Sequence, residues 1–200
     1  MTQQALLSTV PAAHRQAKYQ VRFDWGVEGA VAVAADADVV VWVDALPADA
    51  GAPAAPADLP GDGAVLVAGL TDAAAVAQWI LDEQVRLGRR AMISLVAAGA
   101  TTPAGSPRFA VEDLLAAGAV VDALAALGID YSSPEAAAAC ASFTGLRGAV
   151  AHLLTASVSG QERIAAGEAA ADIAVLGRLG TSDAVTVLRA SRQSGAPAAE

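Results

Sequence analysis

Residues 38–46 read D-V-V-V-W-V-D-A-L, and this stretch restricts the fold more than any other. A strand with one solvated face alternates apolar and polar residues. An unbroken β-branched run is instead covered on both faces, as in the middle of a parallel sheet. Parallel neighbours cannot be joined by a tight hairpin and need crossover connections, usually helices. The rest of the chain supplies that alternation. Further strands are predicted over residues 19–25, 64–68, 91–96 and 184–188. Helices are predicted over residues 30–35, from Thr71-Asp72 to Leu87 with Gly88 closing it, over 113–127, from Pro134 with Ser133 as cap, and over 145–156. Residues 172–179 fit either a helix or a strand, and S-G-Q-E at 159–162 has the spacing of a capping box. The pattern predicts an α/β fold: a three-layer α/β/α sandwich around a mostly parallel, mixed sheet.

Residues 47–63, P-A-D-A-G-A-P-A-A-P-A-D-L-P-G-D-G, break the alternation. Every charge in them is negative, and the prolines deny regular structure. An exposed connection is expected there, within a single domain spanning 1–189. Residues 190–200 are expected to form a disordered tail.

The chain has 200 residues, enough to bury a core without staples, and its aromatic content of 4% means that core must be mostly Ala, Val and Leu. No unbroken apolar run matches the ~20 residues of a bilayer span, since Asp122 and Thr71-Asp72 interrupt the two best stretches. The N-terminus lacks the basic and apolar regions of a signal peptide. One cysteine excludes an internal disulfide and fits a reducing cytoplasm. A net charge of −9 argues against nucleic acid, whose phosphates call for clustered Lys and Arg. A cytoplasmic protein is expected, with no membrane and no nucleic-acid partner. Its Ala/Val-rich surface allows a homo-oligomer.

Residues able to do chemistry gather where strands end and helices begin. Asp44 closes the 38–46 strand. Arg108 precedes a helix whose first turn carries Glu112 and Asp113, and that helix follows a strand and a loop of small residues. Acids at a helix start are favoured by the free N–H groups and the dipole. The same place is also where open α/β sheets bind ligands. Cys140 has no cationic neighbour to activate it and reads as a structural thiol. His152 lacks an obvious Asp or Ser partner and reads as structural too. No Gly-rich dinucleotide fingerprint, C-x-x-C pair or G-x-S-x-G elbow is present.

Several blocks, in order, carry a family likeness: H-R-Q at 14–16, Y-Q-V-R-F-D-W-G at 19–26, A-D-V-V-V-W-V-D-A-L at 37–46, P-R-F-A-V-E-D-L-L-A-A-G-A at 107–119, S-P-E-A at 133–136 and S-G-Q-E-R-I-A-A-G-E-A-A-A-D-I-A-V at 159–175. Together they resemble the 2-phosphosulfolactate phosphatase family. The resemblance implies a Mg²⁺-dependent acid phosphatase that frees sulfolactate from its phosphate ester, a step of coenzyme M synthesis in archaea. The substrate class is a small anionic phosphate ester. Asp44, Glu112 and Asp113 then stand where metal and catalysis are expected, and Arg108 where the substrate's oxygens are.

The departures fall around that site. Where the family has a Ser/Thr-rich turn after the Val-Asp-x-Leu strand, this chain has Pro47-Ala48-Asp49-Ala50. The family's following block, with its Asn-Gly-Thr/Ser loop, is replaced by the Pro/Ala connection, and Asp72-Ala73 stands in place of Asn-Ala. Hydroxyl and backbone donors that would cradle a phosphate are largely missing. The readings are thus a reduced phosphatase, a catalytically impaired descendant that binds a metabolite or partner, or a structural role.

Overall fold

In the computed structural model, which describes residues 10–47, 55–56 and 58–191, the chain forms a five-stranded sheet with helices on both faces. The strands are β1 (Val21–Trp25), β2 (Val39–Val43), β3 (Ala64–Ala68), β4 (Ile93–Ala97) and β7 (Thr186–Arg189), in the order β1-β4-β2-β3-β7. The first four are parallel and β7 runs antiparallel on the β3 edge, so the mixed α/β sheet expected from the sequence is what forms. β2 is central, and all of its residues are buried. Two residues each form a separate small ribbon, β5 (Ala100–Thr101) with β6 (Pro107–Arg108).

Alternate residues of each strand feed two cores. On one face Val39, Val41, Leu66, Ile93 and Leu95 pack against helices α2 (Ala73–Leu87) and α3 (Val111–Ala126). On the other, Val40, Trp42, Val65 and Val96 meet Ala30 and Val33 of α1 (Gly26–Val33) together with Leu59. Behind α3 lie α4 (Pro134–Leu146), α5 (Val150–Ala156), α6 (Val158–Ala165) and α7 (Ala170–Leu176). α3 is therefore pressed between the sheet and α4. The one-sided apolar stripe expected for it becomes burial nearly all round, with Leu115 to Val121 buried without a break. Gly118 makes this possible. A Cβ there would lie 2.2 Å from the Ala139 carbonyl oxygen.

The middle of β1 is tied down by side chains. The Gln16 amide donates to Phe23 O (2.8 Å) and accepts from Phe23 N (3.1 Å), imitating a neighbouring strand on the exposed edge. Arg22, only 1% exposed, pairs with Asp36 and donates to the Val33 and Tyr19 carbonyls, locking α1 onto the sheet.

Several local expectations change. α1 begins at Gly26 rather than at residue 30, because the φ of +60° at Gly26 turns the chain straight from strand to helix. The helix expected over 145–156 is split by a 3₁₀ turn at Arg147–Ala149. Ser157, not Ser159, caps α6 by accepting from Gly160 N. Of residues 172–179, those up to Leu176 lie in the helix α7, and Gly177 ends it. Asp72 precedes α2 without capping it, its Oδ1 accepting from Gly69 N instead.

The connection at 47–63 is anchored at its far end. Leu59 is buried and its carbonyl, like that of Gly63, accepts from Arg189. Residues 48–54 and 57, and 192–200 of the expected tail, lie outside the described residues. Pro134–Ala165 meets the length and hydropathy of a membrane span, contrary to the sequence expectation, because its Ala-rich composition dilutes its few charges. The stretch is nevertheless broken into α4, α5 and α6, with extended backbone at Ser157.

Replacing Gly118 by Ala should push a methyl group into the α4 backbone and cost about 1–3 kcal/mol. Urea denaturation measures it. A midpoint unchanged from the parent protein would mean that the helices are not in such close contact.

Candidate functional site

The four parallel strands end along one edge of the sheet, and acids collect there. Asp24 is the fourth residue of β1, Asp44 follows β2 directly, Asp72 follows β3 by four residues, and Asp113 opens α3 after β4. Asp24 accepts from Trp25 N at the end of its own strand, the other three accept backbone N–H groups from loops or turns at that edge, and burial raises the pKa of every one.

Asp113 is the most buried of them and sits at the start of α3. Its Oδ1 accepts from Ala45 N and its Oδ2 from Gly99 N, each at 2.9 Å. One carboxylate thus joins the helix start to the turn after β2 and to the loop after β4. Burial pushes its pKa well up, with Asp44 and Glu112 adding repulsion, while the two N–H bonds oppose the rise. Gly99 has φ +70°, a conformation that suits glycine, and its N–H is thereby aimed at the acid.

Asp44, half-buried, accepts from Leu46 N at 3.2 Å. Its pKa is raised first by burial and also by Glu112, against the pull of Leu46 N–H and of the positive Arg163. Glu112 is 3% exposed, and among the described residues its buried Oε2 has no hydrogen-bond partner. The three acids expected from the sequence are therefore close enough to sense one another's charge. They are not equivalent, since Asp113 has both oxygens committed to the backbone and Glu112 has a buried one uncommitted. Among the described residues no group of three His, Cys, Asp or Glu side chains forms a metal-holding cluster.

Arg108, on β6, donates to Ser159 Oγ (3.0 Å) and to Phe109 O (3.2 Å). A second arginine, not singled out in the sequence, completes the rim. Arg163 donates to Pro47 O at 3.1 Å and grips Glu168 through two bonds of 2.5 and 2.8 Å. Ser159 and Arg163 are four apart on α6 and so share one face. That i, i+4 spacing in S-G-Q-E-R was the available signal; reading Ser159 as part of a capping box concealed it. Cys140 lies away from this edge on α4, and burial, with Asp122 adding to it, raises its thiol pKa, as suits a structural role. His152 is exposed on α5.

Beside the acids a cleft of about 550 Å³ opens between the first turn of α1, the end of β4 and the β5–β6 ribbon. Trp25, Gly99, Arg108 and Phe109 are among its walls, so it shares Gly99 with the Asp113 tie.

Fold and site together define an open α/β protein with acids gathered along the carboxyl edge of its parallel strands. Residues 54–191 match the model of the 2-phosphosulpholactate phosphatase family, and the chain belongs to that family. The match includes Arg108, Glu112, Asp113, Ser159 and Arg163, while β1, β2 and Asp44 precede it. No curated protein matches the chain.

The raised pKa of Asp44 has a definite sign. Folding strengthens its hold on the proton, so its contribution to stability is full below about pH 3.9 and is lost as pH rises through the folded pKa. Asp44→Asn retains an acceptor for Leu46 N and has no charge to desolvate. Without divalent ions the variant should gain on the parent protein as pH is raised from about 4 toward 7. Paired denaturation curves across that range measure the gap, and a gap independent of pH would contradict the assignment.

Proposed function

We propose that this protein is a Mg²⁺-dependent phosphatase of small anionic phosphate esters. The observation that carries the reading is the Oε2 of Glu112, buried without a hydrogen-bond partner among the described residues. A buried carboxylate without a counter-charge costs several kcal/mol, and a bound cation is the partner that relieves it. Mg²⁺ is usually held by one or two carboxylates, with waters and substrate oxygens completing its shell, so a three-acid cluster is not required. Glu112 and Asp44 would hold the ion. Asp113, already bonded twice to the backbone, positions the loops that carry its neighbours.

When bound, the ion polarises the phosphoryl group and lowers the pKa of a water. The remaining work falls to the chain. Hydrolysis forms a P–O bond from water, breaks the ester P–O bond and delivers a proton to the leaving oxygen. Asp44, as a ligand of the ion, would be ionised and would not carry that proton, which solvent water supplies. Arg108 can turn its planar fork from Ser159 to a phosphoryl oxygen. Arg163 sets the turn through Pro47 and offsets the charge of Asp44.

The engagement of both arginines favours a second reading, an impaired family member that binds without efficient turnover. Arg108 is held by Ser159 and Arg163 by Glu168. Losing even one preorganised donor for developing charge typically costs about 10²–10³ in rate.

Mg²⁺ should raise the thermal midpoint of the parent protein and leave that of Glu112→Gln unmoved. The same substitution should leave the metal-free protein as stable or more so, because it removes a buried charge. Phosphate release from a small phosphate monoester should be slow, should depend on Mg²⁺, should stop with EDTA and should be lost in Glu112→Gln. A parent protein whose midpoint ignores Mg²⁺ would remove the metal site. Turnover equal to that of a family member with the Asn-Gly-Thr/Ser loop would remove the impaired reading.

A further inference from the structure

The cleft beside the acids has a composition of its own. Trp25 packs against Phe109 with the rings tilted by 51° and their centroids 5.2 Å apart, and Phe23 meets Trp25 edge-on at 5.5 Å. Phe109 is 58% exposed and Val27, which also lines the cleft, 57% exposed. These are large apolar surfaces facing a common space. A cavity of about 550 Å³ lies within the size range of small-molecule sites, which are mostly apolar with a few placed polar groups. It is roomy for a three-carbon acid.

Its charges nearly cancel. Among the described residues that line it, Arg108 and Glu28 are the ionisable side chains. Arg108 is already donating to Ser159 and to the Phe109 carbonyl. A leaving group with its own negative charge would meet one engaged cation and one anion. An uncharged ring would meet aromatic faces and aliphatic walls instead. Gly99 connects the two halves of the site, lining the cleft while its N–H is held by Asp113.

We infer that this cleft is the subsite for the organic half of the ester, and that it selects an uncharged aromatic leaving group over a short anionic one. The inference rests on the phosphatase reading above for its chemistry, but on the cleft alone for its specificity. Water supplies the attacking oxygen, the P–O bond to the phenolic oxygen breaks, and the phenol leaves with the proton. Trp25 and Phe109 hold the ring by stacking and edge contacts, for which aromatic pairs have an intrinsic preference.

The test separates the two claims by using ligands that are not turned over. With Mg²⁺ present, calorimetry compares phenylphosphonate, methylphosphonate and phosphonoacetate, and fluorescence follows 1-naphthol, which carries no anion. Phenylphosphonate should bind at least about tenfold more tightly than either of the others. Phe109→Ala should erase most of that preference and leave methylphosphonate affinity unchanged. Because Phe109 is largely exposed, the variant should fold; Val27→Asn, at another lining residue, gives a second check. 1-Naphthol should quench tryptophan fluorescence in the parent protein and not in Phe109→Ala. Equal affinity for the phenyl and methyl phosphonates, or a preference for phosphonoacetate, would overturn the cleft's role and leave the phosphatase reading standing. Naphthol binding with no phosphonate binding would do the reverse, supporting an aromatic cleft and removing the phosphatase reading.

Discussion

The carboxylate of Asp113 holds the working edge of this protein together. Its oxygens take the N–H groups of Ala45 and Gly99, so the helix start and the ends of two adjacent central strands move as one. The arrangement is costly, since it places a carboxylate in the core beside two other acids. It persists because the alternative is worse. Two backbone donors would be left without acceptors in a buried place, at roughly 1–3 kcal/mol each.

The rest of the edge follows from that tie. With Asp113 committed to the backbone, its sequence neighbour Glu112 is carried into the same buried region with an oxygen left over. Asp44 stands next to Ala45, which Asp113 holds, so its position is fixed by the same bond. Arg163 reaches the turn from α6 and moderates the accumulated negative charge. On the other side, fixing Gly99 sets where the β5–β6 ribbon leaves the sheet, and with it the wall of the cleft. Acids that repel one another are brought together by backbone hydrogen bonds, and the strain is what a cation would relieve.

Much of the scaffold was legible in the residues. V-V-V-W-V could only be an inner parallel strand, and Ser133-Pro134 announced the start of α4. The burial of α3 was less legible, because an Ala-rich helix has too little polar contrast to show which faces are covered. Only the fit of Gly118 against Ala139 reveals it. The acids themselves were visible at their strand end and helix start, but the division of labour between them was not. Whether Asp113 is a ligand or a tie depends on a bond to a residue 68 positions away. Arg163 and Ser159 were hidden for the same reason, their partners being Pro47 and Arg108.

Amide hydrogen exchange at Ala45 and Gly99 tests the account most directly. In the parent protein both amides should be strongly protected, since each is bonded to a buried carboxylate. In Asp113→Ala protein that still folds, both should lose protection together while the amides within β2 and β4 keep theirs. Protection at Ala45 and Gly99 that survives the substitution would mean that other groups hold this edge, and Asp113 would lose the role on which the site depends.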